Sequence, residues 1–129
     1  MACFLVPAAE AVAVSAAARV LKSREGGAAA DAVSTETKLP LSRKLGWLSN
    51  LLWGGSALLA YEHVWHGEIV PWFPFLTAAE NPAAFAEMLH EMSTVGVTMA
   101  LVVTGVWAGI AAVAGSMERK ALPEGRAAR

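Results

Sequence analysis

The sequence predicts an all-α membrane protein: a helical hairpin over about 45–66 and 82–117, preceded by an N-terminal transmembrane helix. Three observations carry that reading. The chain of 129 residues is 56% hydrophobic and only 16% charged, where soluble domains hold about 25% charged residues. Its mean hydropathy is +0.47. Most telling, no Lys or Arg occurs from Leu45 through Glu118; all ten basic residues fall before or after that stretch. Basic residues stay on the cytoplasmic side during insertion, so a basic-free stretch between two basic groups describes a membrane hairpin.

The first segment, Ala2 to Val20, opens the predicted helix at 1–21. About 20 residues at 1.5 Å each cross a hydrocarbon core of roughly 30 Å. The segment is mostly alanine and carries Glu10 near its middle. A central carboxylate costs roughly 2.5–3.5 kcal/mol on insertion scales. It is therefore expected to insert only by packing on the other helices, with Glu10 facing inward towards Thr94 or Thr98. The rival reading, a signal peptide, lacks a basic start and would have to accommodate Pro7 and Glu10. If the segment lay flat on the inner surface there would be two crossings instead of three; the positive-inside rule is met either way. Three is the favoured reading.

Residues 22–44 mix Gly, Ala, Ser, Thr and charge without a period and are read as a flexible cytoplasmic linker. The next helix, LGWLSNLLWGGSALLAYEHVWH, has Arg43, Lys44 and Trp47 at its inner end and Tyr61 and Trp65 at its outer end. That is where an aromatic belt belongs. In the outer turn, 67–81, Pro71 and Pro74 break helix among Trp72, Phe73 and Phe75, which suits a segment lying in the headgroup zone. Thr77 and Glu80 have capping-box spacing, but Asn81–Pro82 is the better helix start: an asparagine cap followed by proline at the first helical position. The last helix is expected to end near Met117, with 118–129 a cytoplasmic tail. These features suit a bacterial inner membrane, with residues 22–44 and the C-terminus cytoplasmic.

Candidate chemistry gathers at the outer mouth. Glu62, His63, His66 and Glu68 end one helix; Glu87, His90 and Glu91 begin the next. Spacings of three and four place Glu62 with His66, His63 with His66, and Glu87 with His90 and Glu91 on shared faces. Facing helices that present Glu-x-x-His can hold a metal, and this donor mix suits a divalent transition metal, Zn, Mn or Fe, better than haem. Glu62, His63, His66, Glu87, His90 and Glu91 are the candidate ligands. The alternative is a solvated polar mouth. Met88, Met92 and Met99 are read as apolar filler, and Cys3 as a buried thiol.

A stripe of polar and small residues (Glu87, Glu91, Thr94, Thr98, Gly105, Gly109, Ala112, Ser116) follows helical steps along the last helix. Gly54 with Gly55, and Gly105 with Gly109, are the candidate helix-packing positions. They would serve internal packing, a homo-oligomer seam or docking on a larger membrane protein. A net charge of −1 excludes a nucleic-acid partner of the electrostatic kind. A single cysteine excludes an internal disulfide and a CxxC zinc site. No phosphate loop, nucleophile–base pattern or dinucleotide fingerprint occurs. The expected role is a non-enzymatic structural or accessory subunit; the alternative is metal or proton handling at the outer mouth.

Overall fold

The computed structural model describes residues 2–29 and 39–127, all-α with no strand among them. Helix α1 (Leu5–Ala29) begins with Pro7 in its first turn, where the missing N–H has no intrahelical partner to lose. Helix α2 (Leu41–Trp65) runs back antiparallel beside it. Small residues make that approach close: Ser15 Oγ lies 2.6 Å from Ser49 Oγ, and fully buried Ala11 packs with Leu48 and Leu52.

Glu25 of α1 fastens the open ends of this pair. One of its carboxylate oxygens accepts from the Ser42 hydroxyl and the other from the Ser42 backbone N–H at 3.4 Å. An orphan donor of the first turn of α2 thereby meets an anion at the positive end of the helix dipole.

The expected linker over 22–44 is shorter than its composition suggested. Residues 22–29 continue α1 and 41–44 open α2. Lys, Arg, Glu and Ala are good helix formers, and each glycine costs only about 1 kcal/mol. The middle of that expected linker, 30–38, lies outside the described residues.

Helix α2 ends in a Schellman motif. Gly67 takes φ +71°, its N–H donates to Val64 O at 3.0 Å, and the Glu68 N–H donates to His63 O at 3.0 Å. The turn beyond Gly67 is tied by hydrogen bonds of its own backbone. Val70 N donates to Phe75 O, Phe75 N to Trp72 O, and Thr77 donates to Glu68 O through both its N–H and its hydroxyl. Trp72, Phe73 and Phe75 stand exposed on it. A short 3-10 turn, Thr77–Glu80, leads to Asn81, whose Oδ1 accepts from Ala83 N at 2.9 Å; Pro82 then occupies the first helical position.

The last helix is built in three parts: α3 (Pro82–Glu91), a π turn (Met92–Gly96) and α4 (Val97–Ala127). It extends beyond the expected end near Met117, because Met117–Leu122 are mostly strong helix formers. Glu118 ties α4 to the start of α2 through Lys44 Nζ at 3.5 Å and Leu39 N at 3.4 Å. Higher up, Trp107 Nε1–H donates to Lys44 O at 2.6 Å.

Pro82–Ala121 is the one described helix long and apolar enough to cross a membrane. Although α1 and α2 each hold 25 residues, the charges of Glu10, Arg19 and Lys22 interrupt the first, while Ser49, Asn50, Gly54, Gly55 and Ser56 dilute the second. From Leu101 to Glu118 no side chain is fully buried against the rest of the chain.

Candidate functional site

Cys3, at the start of α1, and His63, in the last turn of α2, meet at the turn end of the bundle. His63 is 8% exposed and Cys3 7%. The Cys3 Sγ is 3.5 Å from His63 Nε2, within hydrogen-bonding reach in either tautomer. Phe4 sets its ring edge-on to the imidazole, centroids 5.5 Å apart. Glu68 Oε2 approaches the same Nε2 to 3.8 Å. The Schellman motif explains that approach, since it folds Glu68 back over the carbonyl of His63 itself.

The π turn supplies the third wall. A Cβ built on Gly96 would lie 2.9 Å from Cys3 O and 2.9 Å from Val6 Cγ2, so only glycine lets α1 sit so close. Ala2, Ala78 and Met88 close the nest with Phe4, Leu76 and Met92.

This geometry limits the chemistry. A Cys–His–acid relay uses both ring nitrogens, one on the nucleophile and the other on the orienting carboxylate. Here thiol and carboxylate converge on one nitrogen, so the relay is not made. Of the two groups beside Nε2, the Cys3 thiol is within hydrogen-bonding reach, while Glu68 stands off at 3.8 Å and partly exposed.

The six candidate ligands differ in their surroundings. His63 turns inward to the nest. His66 remains exposed, its Nδ1–H donating to Glu62 O at 2.8 Å on its own helix. Glu62, Glu87 and His90 are exposed, and Glu91 is half-buried. Among the described residues, no three His, Cys, Asp or Glu side chains form a group able to hold a metal ion. Helical spacing identifies a shared face but not which way that face is turned. Position 63 was fixed by α1, whose N-terminus brings Cys3 and Phe4 against it.

Glu10 lies half-buried between helices, as its position in the first segment suggested, but its partner differs. Thr104 Oγ1–H donates to Glu10 Oε1 at 2.6 Å, whereas Thr94 and Thr98 bond back to the carbonyls of His90 and Thr94. The contact therefore lies about two turns deeper in the last helix than expected.

The four candidate packing glycines meet no neighbour within the described chain. A Cβ added at Gly54, Gly55, Gly105 or Gly109 meets nothing within 4 Å. The inward face of α4 is instead Ala100, Val103, Thr104, Trp107, Ala111, Ala114 and Glu118, all buried or half-buried. At about 100° per residue, Gly105, Gly109, Ala112 and Ser116 fall on the opposite side. The predicted stripe also breaks at the π turn, whose extra residue rotates the remainder of the helix by about 100° relative to Glu87 and Glu91.

Gly96 was the packing glycine that spacing did not single out; its only sequence signal is a small residue within Ser-Thr-Val-Gly at the head of the apolar run. The chain matches no family model, no curated protein and no solved structure.

Proposed function

We propose that this chain is a three-crossing integral membrane protein, of the bacterial inner-membrane type. In this reading its turn end faces outward, and the linker and C-terminus are cytoplasmic. It acts as a non-enzymatic structural or accessory subunit that assembles through α4 with copies of itself or with a larger membrane protein. The supporting observation is the small-residue face at Gly105, Gly109, Ala112 and Ser116, which lies opposite the inward seam and has open space around its glycines. Small residues let helix backbones approach closely where lipid offers no hydrophobic driving force between helices. Exposed Leu101, Val102, Val106, Ile110 and Val113 would meet lipid or partner around it. Hydroxyls within this helix suit the same solvent: Thr98 and Ser116 donate to carbonyls of their own helix.

The test is native mass spectrometry of gently extracted protein at native expression, comparing wild type with Gly105→Ile/Gly109→Ile. A complex that the double variant reduces to monomer, while insertion is retained, supports the reading. Wild type that appears only as a lone monomer with no co-purifying partner overturns it.

A second reading, metal or proton handling at the turn end, has no group of three metal ligands behind it among the described residues; what favours it is the approach of Cys3 Sγ and Glu68 Oε2 to the same nitrogen of His63. Elemental analysis without an affinity-metal step checks the metal form. Near-stoichiometric metal lost on His63→Ala would favour it, and metal content unchanged in that variant would end it.

A further inference from the structure

The strongest unassigned feature lies at the opposite end from the histidine nest. An open groove of about 840 Å³ runs between the end of α1 and the start of α2. Arg19 and Lys22 edge it from α1, three residues apart and so on one helix face, and Arg43 edges it from α2. Ala18, Pro40, Gly46 and the half-buried Trp47 give it largely carbon walls. Glu25 is the one carboxylate among the described residues lining it, and both of its oxygens are engaged by Ser42. The described ion pairs are Lys44–Glu118 and His63–Glu68, so none of the three groove cations is paired among the described residues. Three cations against one occupied carboxylate leave the groove with a positive balance.

We infer that this groove binds the headgroup of an anionic glycerophospholipid. Arg19, Lys22 and Arg43 would meet the phosphate and the carbon walls the glycerol and first acyl carbons. The inference rests on the membrane reading above. In that reading the groove lies at the cytoplasmic leaflet, where anionic lipid is concentrated and basic pockets between helices take charged headgroups. Trp47 sits where an indole belongs, at the boundary of headgroup and chain. Arginine forks and a lysine point charge are complementary to a phosphodiester. Volume agrees as well, since small-molecule sites occupy roughly 300–1,000 Å³.

The experiment uses the full chain in a mild nonionic detergent, titrated separately with phosphatidylglycerol, phosphatidylcholine and inorganic phosphate, with bound molecules counted by native mass spectrometry. Arg19→Gln/Lys22→Gln/Arg43→Gln is compared with a control of equal charge change outside the groove, Arg24→Gln/Arg119→Gln/Lys120→Gln. The expected result is one phosphatidylglycerol bound at least about tenfold more tightly than phosphatidylcholine, a preference lost in the groove variant and kept in the control. Equal binding of the two lipids overturns the inference, as does equal loss in both variants. Inorganic phosphate binding as tightly as the lipid, with the same dependence on the three cations, overturns the lipid assignment. Alkaline extraction of membranes separates the two layers of argument. Protein retained in the pellet without lipid selectivity refutes the groove alone, whereas release into the supernatant refutes the membrane reading beneath it.

Discussion

Replacing Gly96 with alanine tests how α1 is seated on the long helix. The added methyl would stand 2.9 Å from the Cys3 carbonyl oxygen and 2.9 Å from Val6 Cγ2, where ordinary contact begins at 3.4 Å. One of those neighbours is backbone, so relief requires α1 to retreat by about 0.5 Å at its first turn. Overpacking of this kind costs about 1–3 kcal/mol, and the better helix propensity of alanine returns up to about 1 kcal/mol. The net is a destabilisation of about 1 kcal/mol, or roughly a fivefold larger open population. Cys3 reports it directly, being the chain's one cysteine and 7% exposed. Maleimide labelling of the protein in detergent micelles should run about fivefold faster in Gly96→Ala. Gly96→Val should run faster still. Gly105→Ala, whose methyl meets nothing within 4 Å, should label at the wild-type rate. Wild-type labelling of Gly96→Ala, or equal acceleration by Gly105→Ala, would refute the argument.

Thr104→Val removes the hydroxyl that donates to Glu10 at 2.6 Å and should lower thermal stability in detergent by about 1–3 kcal/mol, the cost of stranding a partly buried acceptor. Combining it with Glu10→Gln should give a smaller loss than the two single effects added; strict additivity would show that the pair is not coupled. Leu52→Ala empties a fully buried position against Ala11, Leu48, Val103 and Trp107. If the helices lie in lipid as proposed, the water-transfer contribution is absent, so about 2 kcal/mol is expected from lost contact and cavity, read as a lower unfolding midpoint. An unchanged midpoint would mean that the three helices do not pack there.

Much of the helical layout could be read from the residues themselves. Asn81–Pro82 marks a helix start because an amide oxygen can take the orphan N–H of Ala83 and proline needs no donor there. Both prolines of the 67–81 turn lie outside helix for the same local reason. What depended on distant parts of the chain was less legible. GxxxG spacing at Gly105 and Gly109 establishes a face, yet whether a neighbour covers that face is decided by Trp107 and Thr104 reaching α2 and α1 from the other side. His63 and His66 looked equivalent from their spacing; Cys3, sixty residues earlier, separates them. The π turn carries no residue signature strong enough to anticipate, and it shifted the register from which the long polar stripe had been drawn. Helix ends were underestimated where Lys, Glu and Ala continued the helix past the charge that seemed to close it.

Because the π turn holds one residue more than an α register needs, α3 and α4 are phased independently of one another. Loss of a single codon between Met92 and Gly96 would leave the sequence of α4 unchanged yet swing all of its side chains about 100° around the axis relative to α3. Thr104 would leave Glu10, Trp107 would leave Lys44, and a different set of residues would look outward. A one-residue length change there is thus a steering change for the whole long helix. The consequence is genetic as much as structural: substitutions in α4 edit one face at a time, whereas an insertion or deletion at 92–96 exchanges the faces wholesale.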